Sequence, residues 1–196
     1  MEVCFNCGST RDITWDHIPP QNFFPSPKPS NLIKVKCCSA CNQGFSMDDE
    51  AFRIFASSLK DRSLAGAWIW TNKVLNSSFR RSVKLKMHVA ESLVKIGKSD
   101  TGMAFPKQRA INFLTRITKG LIKFHYPSID YSLVNFRVTQ IIPSQELLDN
   151  TLSKFVYDYK GEGVFRYWRG FYSSEKPESV WVYVFYDALM FLVEVN

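Results

Sequence analysis

Cys4-Phe5-Asn6-Cys7-Gly8 and Cys38-Ser39-Ala40-Cys41-Asn42 bracket the stretch that decides the fold. Each is a Cys-x2-Cys pair, and the 30 residues between them carry Ile13-Thr14-Trp15-Asp16-His17-Ile18-Pro19-Pro20. Two residues between cysteines let one tight turn aim both sulfurs at one ion. Gly8 and Asn42, directly after each pair, suit the left-handed conformation that such a turn needs. Two pairs supply the four thiolates of a closed tetrahedral zinc site: Cys4, Cys7, Cys38 and Cys41. The fifth cysteine, Cys37, is the spare: it could stand in for Cys38 as a ligand, but the two-residue spacing favours Cys38. Four thiolates leave no open coordination position. The zinc is therefore expected to be structural and to supply folding free energy to a small module.

Working outward, Asp12 to Ile18 alternates as a short strand that Pro19 and Pro20 end. Residues 21–30, QNFFPSPKPS, read as a proline-rich loop. Leu32 to Lys36 form a second short strand leading into the Cys38 knuckle. Ser46-Met47-Asp48-Asp49 has the pattern of a capping box opening a helix. The order is knuckle, strand with Asp-His, loop, strand, knuckle, helix.

This order resembles the ββα-metal (HNH) endonucleases, in the zinc-stapled form typified by phage recombination endonuclease VII and by bacterial HNH-like proteins. The resemblance covers roughly residues 1–55. It implies that Asp16 matches the metal-binding aspartate, His17 the general base, Asn42 the second metal ligand and Asn31 the asparagine that orients the histidine. Asn31 lies seven residues before Cys38, about two more than in the common pattern. Two residues keep the phase of a strand. Many family members carry a lysine shortly after the last motif residue, where this chain has Gln43-Gly44-Phe45.

The chemistry implied is phosphodiester hydrolysis in DNA. A histidine takes a proton from water near neutral pH. A hard divalent ion, Mg²⁺ or Mn²⁺, takes oxygen ligands such as Asp16 and Asn42 and neutralises charge on the phosphate. The expectation is thus a metal-dependent endonuclease. Its alternative is a non-catalytic zinc-stapled module that binds nucleic acid or another protein, for which the cysteines alone would suffice.

Net charge is +7, unevenly spread: residues 1–50 carry −2 and the remainder +9. A basic body suits a polyanionic partner, DNA on this reading, although a solvated basic surface explains charge alone equally well. Arg80, Arg81, Lys84 and Lys86 form the strongest local cluster and are the candidate phosphate contacts. Composition is 45% hydrophobic and 15% aromatic, enough for a substantial core. No apolar run is long enough to cross a membrane, and the longest candidate, Val180 to Val195, is broken by Asp187. The start, MEVCFNCGST, lacks a basic region followed by an apolar one, which predicts a cytoplasmic protein with reduced thiols.

Residues 56–196 belong to no family the motif names. Helices are expected over 46–60 and over much of 64–96. Another opens at Pro106 and runs to about Phe124, with Arg109, Arg116, Lys119 and Lys123 on its other faces. The residue at 120 is a glycine, which weakens the last turn. LVNFRVTQII (133–142) alternates as a strand, and PSQELLDNTLSKFVYDY (143–159) reads as a short helix. VFRYWRGFY, SVWVYVFY and ALMFLVEV read as three antiparallel strands. Tyr167 and Trp168, beside Arg169, could meet single strands by stacking, but aromatics in a strand read first as core positions, and His88 and His125 read as packed or surface residues. The fold class is α+β: a zinc module (1–55), then a helical segment and a C-terminal antiparallel α+β unit (56–196).

Overall fold

Alternating apolar residues along Ile13–Ile18 form β1, which pairs antiparallel with β2 (Ile33–Cys38). The structure is a computed structural model that describes residues 2–96, 100–131, 134–142, 152–171 and 178–196. The register places Asp16 opposite Val35, His17 opposite Lys34 and Trp15 opposite Lys36. One face of this hairpin, with Asp16, Ile18, Ile33 and Val35, is buried, while Trp15 and Lys34 face outward.

Helix α1 (Ser39–Gly44) follows β2 directly, and α2 (Ser46–Ser58) follows α1. The expected capping box is not formed. Phe45 is itself helical, no side chain caps α2, and the Asp49 N–H reaches the Phe45 carbonyl at 3.0 Å. A helix already running has no free end for Ser46 to cap. For the same reason Asn42 lies within α1 rather than in a left-handed turn. Gly8 does take that conformation, with φ +73°.

Next come α3 (Leu64–Ile69), a π-helical stretch (Trp70–Ser78), α4 (Phe79–Arg81) and α5 (Val83–Glu91). The expected helix does not reach residue 96. Leu93–Ile96 is strand β3, paired antiparallel with β4 (Asp100–Met103). Leu93, Val94 and Ile96 are residues that favour the strand once a partner exists.

Helix α6 (Lys107–His125), entered at Pro106, is the longest element and runs past Gly120 unbroken. Its buried residues include Phe113, Leu114, Arg116, Ile117, Thr118 and Leu121, which cover more than one face. It packs against α2, both strands of the hairpin and the C-terminal sheet. Gly120 explains how it comes so near the hairpin, since a Cβ there would lie 2.7 Å from Ile18. The glycine is kept for close approach rather than for ending the helix.

The sheet is five-stranded and antiparallel throughout, in the order β5 (Phe136–Ile141), β9 (Leu189–Val195), β8 (Ser179–Phe185), β7 (Phe165–Phe171), β6 (Val156–Lys160). Three of these strands match the expected hairpins, and β5 matches the alternation of 133–142. β6 falls at the end of the segment expected to be helical. There, Val156, Tyr157 and Tyr159 favour a strand, and Val156 to Tyr159 pair with Arg166 to Arg169 of β7. Residues 143–151, where that helix would begin, and most of the turn 173–179 lie outside the described residues.

One core joins these parts. Phe23, expected in a loop, forms a short 3₁₀ turn with Gln21 and Asn22 and is fully buried. It stacks on Phe113 of α6 at 5.4 Å, and its carbonyl accepts from the Tyr186 hydroxyl at 2.9 Å. Phe52 of α2 stacks on the same Phe113 at 4.0 Å. Tyr167 is fully buried in this core, while its neighbour Trp168, nearly as buried, packs in a second cluster with Leu152, Val182, Val184 and Met190. No described helix is long and apolar enough to cross a membrane.

Candidate functional site

The two knuckles meet. The sulfurs of Cys4, Cys7, Cys38 and Cys41 all lie within 4.8 Å of one another. Cys7 and Cys38 are 3.7 Å apart. Tetrahedral zinc with bonds of about 2.3 Å needs sulfurs about 3.8 Å apart, so the four fit a metal ion such as zinc. The first knuckle is closed by its own backbone, with Gly8 N–H donating to the Cys4 carbonyl at 2.9 Å. The Phe5 N–H ties it to Lys36 of β2 at 2.8 Å. Burial alone would raise the Cys4 thiol, but the N–H groups of Cys38, Cys7 and Asn6 outweigh it and bring it down to about 6. Those donors stabilise the thiolate that a metal requires. The Asn6 amide also donates to Cys41 Sγ at 3.4 Å.

Cys37 touches Cys4 but is not one of the four sulfurs that all converge. It is fully buried on the inner face of β2, 3.8 Å from Cys4, and its thiol is raised above the usual range chiefly by burial.

The hairpin sends Asp16 and His17 in opposite directions, as adjacent strand residues must go. Asp16 turns inward and is 6% exposed. Its Oδ2 accepts from Arg116 Nη1 at 2.9 Å, and Arg116 Nη2 donates to Asp49 of α2. Arg116 is 3% exposed, with its guanidinium 4.5 Å from the Phe45 ring. It does not line an outer face of α6 as the helical periodicity suggests, because two carboxylates compensate its burial. The triad holds two acids and one base. Burial raises both acids against the pull of Arg116, and Asp49, pushed further by the charges of Asp16 and Asp48, reaches about 7.

His17 is half-buried on the outer side. Its Nε2 lies 2.7 Å from the Gln21 amide nitrogen, and Gln21 Oε1 accepts from Lys28 at 2.9 Å. With Oε1 occupied by a lysine, the amide nitrogen is the donor and Nε2 the acceptor, so the neutral ring carries its proton on Nδ1. Burial lowers the His17 pKa, and the cations of Lys34 and Lys28 add to this against Asp16.

Asn42 is brought to β1, its amide donating to the Trp15 carbonyl at 3.4 Å. Asn31 is exposed just before β2, and the residue that meets the His17 ring is Gln21. Arg80, Arg81, Lys84 and Lys86 are exposed on α4 and α5 and are not among the charges acting on His17. His125 is half-buried against the Tyr167 hydroxyl at 2.8 Å, and burial drives it down to about 4. The side chain of His88 lies outside the described residues.

Sequence reasoning missed Arg116, Asp49, Gln21 and Lys28 as parts of this site. Arg116 and Asp49 give no local signal, being 100 and 33 residues from Asp16. Gln21 lies four residues from His17 beyond two prolines, and only the turn at Gln21–Phe23 carries it back. Comparison with protein families, with characterised proteins and with solved structures returns no match.

Proposed function

We propose that the N-terminal region is a zinc-stapled ββα-metal module and that the protein is a metal-dependent HNH endonuclease acting on DNA. The observation that carries this reading is the hairpin and α1, closed by four cysteines, which hold His17 outward and bring Asn42 against the strand bearing Asp16. His17, kept neutral by burial and by Lys34 and Lys28, accepts the proton of the attacking water. Its Nε2 lone pair becomes available when Gln21 swings aside. Lys34, exposed opposite His17, meets a phosphate oxygen. Zn²⁺ is held by Cys4, Cys7, Cys38 and Cys41 and is structural.

Asp16 and the Asn42 amide oxygen are the donors for the catalytic Mg²⁺ or Mn²⁺. When bound, that ion neutralises charge on the phosphate and the leaving oxygen. The fit rests on charge: with Asp49 ionised, the Asp16–Arg116–Asp49 triad carries one carboxylate more than its single guanidinium compensates, and Arg116 keeps Asp49 as partner if Asp16 turns to an ion. Mg²⁺ or Mn²⁺ is therefore expected to raise the melting temperature of the wild type but not of Asp16→Asn. Equal shifts in both would remove Asp16 from the site.

The same ion pair supports a second reading, a non-catalytic module that binds nucleic acid or protein, since a structural Asp16 needs no metal. Plasmid cleavage by wild type and His17→Ala, with Mg²⁺ or Mn²⁺ and with chelator, separates the two when zinc content is measured alongside. Cleavage by the wild type, lost in a variant that keeps its zinc, supports the enzyme. Zinc without cleavage in either protein, on plasmid and on single-stranded DNA alike, supports the module.

A further inference from the structure

We propose that the outer face of the β1–β2 hairpin binds single-stranded DNA, with an unpaired base stacked on Trp15 beside the phosphate at His17. The position of that phosphate and the choice of DNA over RNA rest on the endonuclease reading, but the single-strand binding face does not. Trp15 is 51% exposed, although nothing in the core requires a tryptophan at the surface. It lies two residues before His17 on the same face of β1, about 6.6 Å along the strand. Opposite the two stand Lys36 and Lys34.

The Lys36 ammonium lies 3.7 Å from the centroid of the Trp15 ring, so a cation already sits on the indole while about half of the residue stays accessible. A hollow of about 290 Å³ beside the ring is lined by Trp15, Lys34, Lys36, Lys123 and Phe124. Phe124 is itself 47% exposed. Glu2 also borders this hollow and pairs with Lys36 at 2.9 Å. Lys123 donates to the Pro127 carbonyl, and Lys34 makes no side-chain hydrogen bond or ion pair among the described residues.

Two exposed aromatic rings among three lysines fit a strand whose phosphates meet cations and whose bases stack. A duplex does not fit as well. Its bases already stack on one another and present only their edges, so an open indole face gains nothing from it. A protein partner would be expected to meet apolar surface, and here every ring is flanked by lysine.

The test is fluorescence anisotropy with a labelled single-stranded oligonucleotide, a duplex and an RNA of equal length, without added divalent ion. Zinc content and melting temperature are measured for each variant. Wild type is expected to bind the single strand more tightly than the duplex. Trp15→Ala should weaken single-strand binding about ten-fold and Trp15→Phe should restore most of it. Lys34→Gln should lower the salt dependence by about one phosphate contact. Folded, zinc-loaded Trp15→Ala that binds like the wild type overturns the proposal, as does duplex or RNA bound at least as tightly as single-stranded DNA. If the wild type cleaves through His17 while Trp15→Ala binds normally, this inference alone falls. If the wild type neither binds nor cleaves, the endonuclease reading falls with it.

Discussion

Arg116 lies between Asp16 and Asp49 with almost no access to water. Removing one member of a buried ion group leaves the others uncompensated, which typically costs about 3–5 kcal/mol. Arg116→Met, similar in length, is expected to lose stability on that scale in urea unfolding, and more than Arg109→Met, whose pair with Asp48 is partly solvated. A second expectation concerns His17. Its pKa is lowered by burial and by Lys34 and Lys28, so the neutral base predominates down to below the ordinary value of about 6.5. On the endonuclease reading, cleavage should rise with pH through an apparent pKa below that value and level off at neutrality. Replacing Lys34 with Gln should move that midpoint upward. At this scale the sequence is legible where chemistry is local. Asp16, His17 and Asn42 are singled out by their neighbours in sequence, and their roles remain those of the proposal. Arg116 looks like one more charge on an amphipathic helix, because nothing in its own segment reveals the two acids it meets.

At the scale of the element, the knuckles were readable because cysteine spacing is a local geometric requirement, and four of the five strands of the large sheet because alternation is too. The exceptions share a cause. β3 and β6 lie in segments whose composition tolerates helix, and each becomes a strand through a partner elsewhere in the chain. The capping box at Ser46 was a correct local pattern cancelled by α1 immediately before it. The two adjacent cysteines at the end of β2 give a test of the knuckle. Cys38→Ser is expected to lose bound zinc and much of the fold around it, because its sulfur is one of the four. Cys37→Ser should keep one equivalent of zinc and lose about 1 kcal/mol, through a hydroxyl placed in an apolar site. Metal content and thermal melting of the two variants read this directly. Zinc loss in Cys37→Ser with retention in Cys38→Ser would reverse the assignment.

For the whole molecule, α6 is the member that joins α2, the hairpin and the large sheet, with the hairpin on one side and the sheet on another. Thr118 meets the Tyr183 hydroxyl at 2.8 Å on the sheet side, while Gly120 lets Ile18 approach on the hairpin side. Alanine for glycine inside a helix normally stabilises by up to about 1 kcal/mol. At position 120 the sign is expected to reverse, with a loss of about 1–3 kcal/mol, because the new methyl meets the buried Ile18. Gly44→Ala in α1, where the added carbon meets nothing within 4 Å, serves as the control and should leave the melting temperature unchanged or higher. The α+β class and the position of α6 in the chain follow from periodicity. That α6 is central does not, since centrality depends on which faces find partners and not on the pattern of any one of them. The buried guanidinium has a consequence for how such chains can be recombined. A stretch that looks like a cassette, knuckle to knuckle, is not portable, since Asp16 draws its counter-cation from a helix that begins more than sixty residues after the last of the four clustered cysteines. Grafted onto another body, the hairpin would bring its cysteines but leave an unpaired acid and bare Ile18 and Phe23 behind it. The exchange could succeed only with a host that already offers a cation and a close-packed helix at the same place.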